Sequence, residues 1–162
     1  MTKKPFKRHT VDGKPMTPDD LRRLRDYLSA IEVVEVILVV EDDEDLRSYL
    51  TEALRSLGYS VLASAHAEGA LAILSRNSAR IDLMLTDVVM PGMNGRELGQ
   101  RAQEIRPGLR VLYMSGYSRN AVVHQGRLDD GIELLQKPIT QTHLASRVRD
   151  VLDRAAAGRD KP

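Results

Sequence analysis

The feature that most constrains this chain is a regular alternation, from residue 33 onward, of short apolar runs with helical stripes. Val36-Ile37-Leu38-Val39-Val40 is an unbroken apolar run rich in β-branched residues, the pattern of a strand covered on both faces. Leu46, Leu50, Ala53, Leu54 and Leu57 follow at helical spacing, and Gly58 closes that stripe as a C-terminal cap. The pairing then recurs. A strand at 59–63 precedes a helix at 67–76, a strand at 81–86 precedes a helix at 96–105, and a strand at 109–114 precedes a short helix at 118–125. A fifth strand at 132–136 leads into a helix at 140–155, with Leu144, Val148, Val151 and Leu152 on its inner side. Pro107-Gly108 stops the helix at 96–105. Strands alternating with helices predict an α/β fold, a five-stranded parallel sheet with helices on both faces joined by right-handed crossovers.

That alternation accounts for only part of the 162 residues. Residues 1–31 carry eight basic against four acidic side chains, and residues 32–162 carry 16 against 19, so the net charge of +1 conceals a basic arm on an acidic body. Residues 1–16 hold few apolar side chains and include Pro5, Gly13 and Pro15, which predicts a flexible arm without fixed structure. Thr17-Pro18-Asp19-Asp20 reads as a helix start, with Thr17 as cap and two carboxylates at the positive end of the helix dipole. Leu21, Leu24, Leu28 and Ile31 then form one apolar stripe, so 17–32 is expected to be an amphipathic helix. The body to which these are added spans 33–154, and 155–162 reads as a loose tail.

Several function classes are excluded or disfavoured. With no cysteine there is no disulfide framework, thiolate metal site or cysteine nucleophile. The balanced charge argues against nucleic acid as a partner, and no apolar run reaches the roughly 18 residues needed to span a membrane. No secretory signal opens the chain, so a cytoplasmic location is expected. His9, His66, His124 and His143 are scattered and form no metal-binding spacing.

In open parallel sheets the functional site lies at the carboxyl ends of the strands. Those ends are Glu41-Asp42-Asp43, Asp87, Ser115 and Lys137-Pro138. Carboxylate oxygens suit Mg²⁺, a hard cation that takes oxygen ligands and keeps several waters. A cation, a lysine and a hydroxyl would together stabilise the equatorial oxygens of a phosphoryl group, with one carboxylate as nucleophile. Between residues 32 and 160 every basic side chain but one is Arg, and the exception is Lys137. A compact ammonium suits a point contact to phosphoryl oxygen better than the wider guanidinium fork.

Residues from about Val36 to Leu152 resemble a receiver domain of the two-component response-regulator family (CheY-like). Four separated motifs carry the resemblance: Val39-Val40-Glu41-Asp42-Asp43, the run from Leu85 to Gly95 through Asp87, Met114-Ser115-Gly116, and Leu135-Gln136-Lys137-Pro138. It is most similar to stand-alone receivers and to the C-terminal receivers of hybrid histidine kinases. The resemblance implies a flavodoxin-like fold with strand order 2-1-3-4-5 and a usually cis bond before Pro138. It implies that Asp87 accepts a phosphoryl group from a phosphohistidine of a histidine kinase or histidine phosphotransfer protein. Glu41, Asp42, Asp87 and the backbone carbonyl of Val89 would hold Mg²⁺, Lys137 would pair with the phosphoryl oxygens, and Ser115 would hydrogen-bond one of them. Asp43 is expected to cap a helix, while Gly92 and Gly95 would serve turns that need permissive backbone angles.

The chain also departs from that pattern. The family's aromatic residue three positions before the lysine is here Leu134, and Tyr113 and Tyr117, which flank Ser115, are candidate substitutes. Apolar Val89 and Tyr117 beside the acceptor imply slow self-dephosphorylation. About ten residues follow Leu152, too few for a DNA-binding module, so signalling is expected by protein contact or phosphorelay. A homodimer is expected through the 118–152 face or through the N-terminal helix. Two other readings are a receiver-like interaction module that is not phosphorylated and a Mg²⁺-dependent phosphohydrolase. The second is weakened by Val89, where such enzymes carry a further aspartate.

Overall fold

The computed structural model describes residues 10–11, 14–30, 33–76, 80–116 and 132–157. Two compact units divide between Val33 and Val34. In the first, strands β1 (Thr10–Val11) and β2 (Lys14–Pro15) pair antiparallel, with Thr10 opposite Pro15. Regular pairing therefore reaches into a stretch whose composition predicts none.

Helix α1 (Pro18–Ala30) begins as its sequence requires. The Thr17 hydroxyl accepts from the Asp20 amide at 3.2 Å, and Asp20 Oδ2 accepts from the Thr17 amide at 2.9 Å and the Thr17 hydroxyl at 2.7 Å. This is a reciprocal capping box with Asp in the acidic position. Those bonds, the hydroxyl's first, hold the Asp20 carboxyl below its ordinary pKa.

In the second unit the elements run β3 (Val36–Val40), α2 (Glu44–Ser56), β4 (Ser60–Ser64), α3 (Ala67–Leu74), β5 (Leu83–Asp87), α4 (Gly95–Ile105), β6 (Arg110–Ser115), β7 (Glu133–Gln136) and α5 (Gln141–Ala157). The five strands form one parallel sheet in the order β4-β3-β5-β6-β7, which is second-first-third-fourth-fifth within the sheet. Fold class, strand order and the N-terminal helix are as the sequence predicts. The helix expected at 118–125, with Tyr117 and His124, lies outside the described residues.

The two-residue period of the strands sorts the core into two layers. Ile37, Val39, Leu83, Leu85, Leu112 and Met114 face one side, where Leu50 and Leu54 of α2 and Leu144 and Val148 of α5 cover them. Leu38, Val40, Met84, Val111 and Tyr113 face the other, under Ala70 and Leu74 of α3 and Leu98 and Ala102 of α4. Tyr113 is thus a core residue, and its hydroxyl lies so close to Gly99 that a Cβ there would fall 2.0 Å from it.

Side chains bond to the backbone at two element ends. β5 starts two residues later than expected, and just before it the Asp82 amide donates to the Val36 carbonyl while Asp82 Oδ2 accepts from the Val36 amide, both at 2.9 Å. α3 ends at Leu74, where the Arg106 guanidinium donates to the carbonyls of Leu74 (2.9 Å) and Arg76 (2.7 Å). Gly58 follows α2 with φ of +94°, a left-handed cap conformation that favours glycine.

Candidate functional site

The parallel register places the ends of β3, β5, β6 and β7 along one edge of the sheet. Val40 is opposite Thr86, Asp87 opposite Met114, and Ser115 opposite Gln136, so the next residues meet at that edge. The acidic turn after β3 is held locally. Asp43 caps α2, accepting from the Leu46 amide at 2.8 Å, and its own amide donates to Glu41 Oε1 at 3.2 Å. Asp43 is a cap, as its position suggests, and it also orients the neighbouring carboxylate.

Asp87 closes β5 nearly buried, at 7% exposed, and Glu41 is 1% exposed. Between them stands Lys137, whose Nζ donates to Asp87 Oδ2 at 2.8 Å and to Glu41 Oε2 at 3.4 Å. The other Asp87 oxygen, Oδ1, accepts from the Val89 amide at 3.3 Å. Lys137 is fixed through its own backbone, its amide donating to the Ser115 carbonyl at 2.8 Å, and the Lys137-Pro138 bond is cis. Ser115 is buried on the end of β6. Asp42 is exposed, and one oxygen from each of Glu41, Asp42 and Asp87 lies within 4.8 Å of the others. Val89 stands exposed beside them.

The electrostatics follow from burial. Desolvation pushes the Glu41 carboxyl above its ordinary pKa; the Asp43 amide opposes this and the Asp87 charge adds to it. For Lys137, burial alone would lower the pKa, but the hydrogen bond and charge of Asp87, then Glu41, outweigh it and hold the ammonium above its usual value. Three carboxylates thus face one ammonium. A donor set of clustered oxygens with surplus negative charge, one of them open to solvent, fits a hard divalent cation such as Mg²⁺.

Two contributors are not legible in the motifs. Arg47, one turn into α2, donates to the backbone carbonyls of Glu41 (2.9 Å) and Asp42 (3.3 Å) and so braces the acidic turn. Only an arginine six residues after Glu41 on a helix start would hint at that. Gly95 is the second, and here the expectation needs correcting. Gly92 has a positive φ of +76°, but Gly95 is the first residue of α4, and what it supplies is clearance. A Cβ on Gly95 would lie 1.9 Å from the backbone oxygen of Asp87. Leu134 sits partly buried against the α3–α4 layer.

Sheet order and edge chemistry together define a receiver-type α/β domain. The chain belongs to the response regulator receiver domain family, whose pattern matches residues 37–149. It is 34% identical over 116 residues to the response regulator receiver protein CpdR of Brucella abortus (strain 2308), covering 72% of this chain and 95% of that protein. It is 31% identical over 118 residues to the sensor kinase CckA of the same strain, a match to 73% of this chain but only 12% of the kinase. Among solved structures, the receiver domain from the hybrid histidine kinase CckA superposes with a TM-score of 0.61 at 38% identity, covering 72% of this chain and 98% of that one. Among the described residues no helix is long and apolar enough to cross a membrane.

Proposed function

We propose that this chain is a response regulator that accepts a phosphoryl group onto Asp87 from the phosphohistidine of a histidine kinase or phosphotransfer protein. The observation that carries the proposal is the Asp87–Lys137 pair at 2.8 Å, set at the carboxyl edge with Glu41 and Asp42 alongside. An Asp87 carboxylate oxygen attacks phosphorus, the P–N bond breaks, and the electron pair leaves with the imidazole. Lys137 meets the phosphoryl oxygens, and the Ser115 hydroxyl at the neighbouring strand end donates to one of them. The Val89 amide holds the second Asp87 oxygen and keeps the carboxylate aimed out of the edge. Glu41, Asp42, Asp87 and the Val89 carbonyl would hold Mg²⁺, which when bound neutralises charge that develops on the transferring group. Output is by contact with a protein partner or by onward phosphoryl transfer, in the cytoplasm.

Incubation with acetyl phosphate and Mg²⁺, followed by intact-mass measurement, tests this reading. One added phosphoryl group, absent in Asp87→Ala and absent with chelator, is the expected result. Catalytic turnover of small phosphate esters would instead indicate a phosphohydrolase. No mass gain from acetyl phosphate or from a phosphorylated kinase would indicate an interaction module that keeps the acidic edge as scaffold.

A further inference from the structure

Helix α1 carries a pattern that phosphoryl chemistry does not use. Leu21, Leu24 and Leu28 are 54%, 43% and 57% exposed, and Tyr27 beside them is 67% exposed. Spacing of three and then four residues is the a-d-a repeat of a two-stranded coil. Six of the helix's other ten residues are charged, and that charge is partly paired along the helix itself, Arg23 lying 3.4 Å from Asp19 one turn away. One apolar seam remains.

The flanks of the seam indicate what covers it. With Leu21 and Leu28 at a and Leu24 at d, Asp20 and Tyr27 fall at g and Arg25 falls at e. In a parallel, in-register pair, each g residue meets the e residue five positions on in the other strand. Asp20 of each copy then meets Arg25 of the other, twice by symmetry. The capping bonds from Thr17 keep the Asp20 carboxylate ionised and fixed at the helix start. Arg25, 3.7 Å from Asp26 in the single chain, would exchange or share that neighbour. An antiparallel pair that stacks Leu24 on Leu28 sets Arg25 against Arg25 near its centre, which like charges disfavour. The stripe is therefore complementary to itself in one orientation.

We propose that α1 is a homodimerisation helix, a second copy of this chain covering Leu21, Leu24 and Leu28 in a parallel two-stranded coil with reciprocal Asp20–Arg25 pairs. Thirteen residues give fewer than two heptads, so the dimer is weak and concentration-dependent. The pairing needs no phosphoryl group and stands whether or not Asp87 is an acceptor.

The test is the mass of the full, unphosphorylated chain by sedimentation equilibrium, from about 1 μM to about 500 μM, a range wide enough to follow a weak dimer. The mass is expected to rise from 18.1 kDa toward twice that value. Leu24→Glu/Leu28→Glu should hold it at the monomer value throughout, and Arg25→Asp, which leaves the seam intact, should raise the dissociation constant about tenfold. Because the chain has no cysteine, orientation is read separately. Leu21→Cys should form an interchain disulfide on mild oxidation, since a parallel pair sets the two positions side by side. In an antiparallel pair they stand roughly 15 Å apart along the axis, beyond disulfide reach. A mass fixed at 18.1 kDa at every concentration overturns the proposal, as does dimerisation undiminished by the Leu24/Leu28 substitutions. A dimer that forms no Leu21→Cys disulfide overturns the parallel arrangement.

Discussion

Glu41 is the most buried of the three edge carboxylates, and burial opposes its ionisation. Burial and the Asp87 charge raise its pKa, so its ionised form penalises the metal-free protein. Glu41→Gln retains the acceptor for the Asp43 amide and removes that penalty. In chelator the variant should melt about 2–4 °C higher, corresponding to ~1 kcal/mol. Added Mg²⁺ should then raise the melting point of the wild type more than that of the variant. The penalty is full above the raised pKa and gone below the unfolded value near 4.5, so the gain must shrink as pH falls through that window. A variant that melts lower in chelator at neutral pH would mean that the 3.4 Å contact to Lys137 outweighs the cost of burial. Val89 bears on a different prediction. It is 62% exposed beside Asp87, the proposed acceptor, and its side chain offers no polar group to orient an attacking water. Val89→Asn combined with Tyr117→Glu should shorten the lifetime of the acyl phosphate, measured by loss of the phosphorylated mass after donor removal. An equal or longer lifetime in the double variant would refute slow self-dephosphorylation as a consequence of these side chains.

Where β5 meets α4 the backbones leave no room for a side chain at Gly95. The Gly95 amide donates to the Val88 carbonyl at 2.9 Å, and its missing Cβ leaves the Asp87 carbonyl its space. Gly95→Ala must displace backbone, which costs about 1–3 kcal/mol for overpacking, and should slow phosphoryl acceptance because the displaced atom belongs to Asp87. At Gly99 the same substitution meets the hydroxyl and ring edge of the Tyr113 side chain and no backbone atom, and should cost less. Thermal unfolding and phosphorylation rates of the two variants make the comparison. Sequence reasoning places these elements well and explains their ends less well. Apolar periodicity encodes which residues of β3, β5 and β6 face which helices, because a strand's two-residue period is a property of the chain alone. At the start of β5 and the end of α3, Asp82 and Arg106 bond to backbone atoms 46 and 32 residues away in sequence. A backbone carbonyl has no residue-type signature, so neither those bonds nor the Arg47 brace on the acidic turn are legible before the fold is known. The charged constellation itself is legible, since strand ends follow from strand positions.

The division between Val33 and Val34 separates what the receiver pattern explains from what it does not. Residues 34–162 include the whole five-stranded sheet and the edge residues Glu41, Asp42, Asp87, Ser115 and Lys137. A chain lacking residues 1–31 should therefore fold, melt within a few degrees of the full chain, and gain one phosphoryl group at an unchanged rate. Loss of acceptance on truncation, measured by intact mass, would make the N-terminal unit part of the reactive machinery. The first residues of the second unit are pinned from outside the sheet. Arg149 on α5 makes a two-pronged bond to Glu35, at 2.8 and 2.9 Å, and donates to Asp153 at 2.9 Å. That clamp sits where the chain feeds into β3, and the carboxylates lie where β3 ends. Attachment point and reactive edge are thus at opposite poles of a strand of five residues, or about 16 Å. One practical consequence concerns immobilisation: a truncated chain coupled to a sensor surface through its N-terminus presents Asp87 to the solution side, so donor binding can be recorded on an oriented layer.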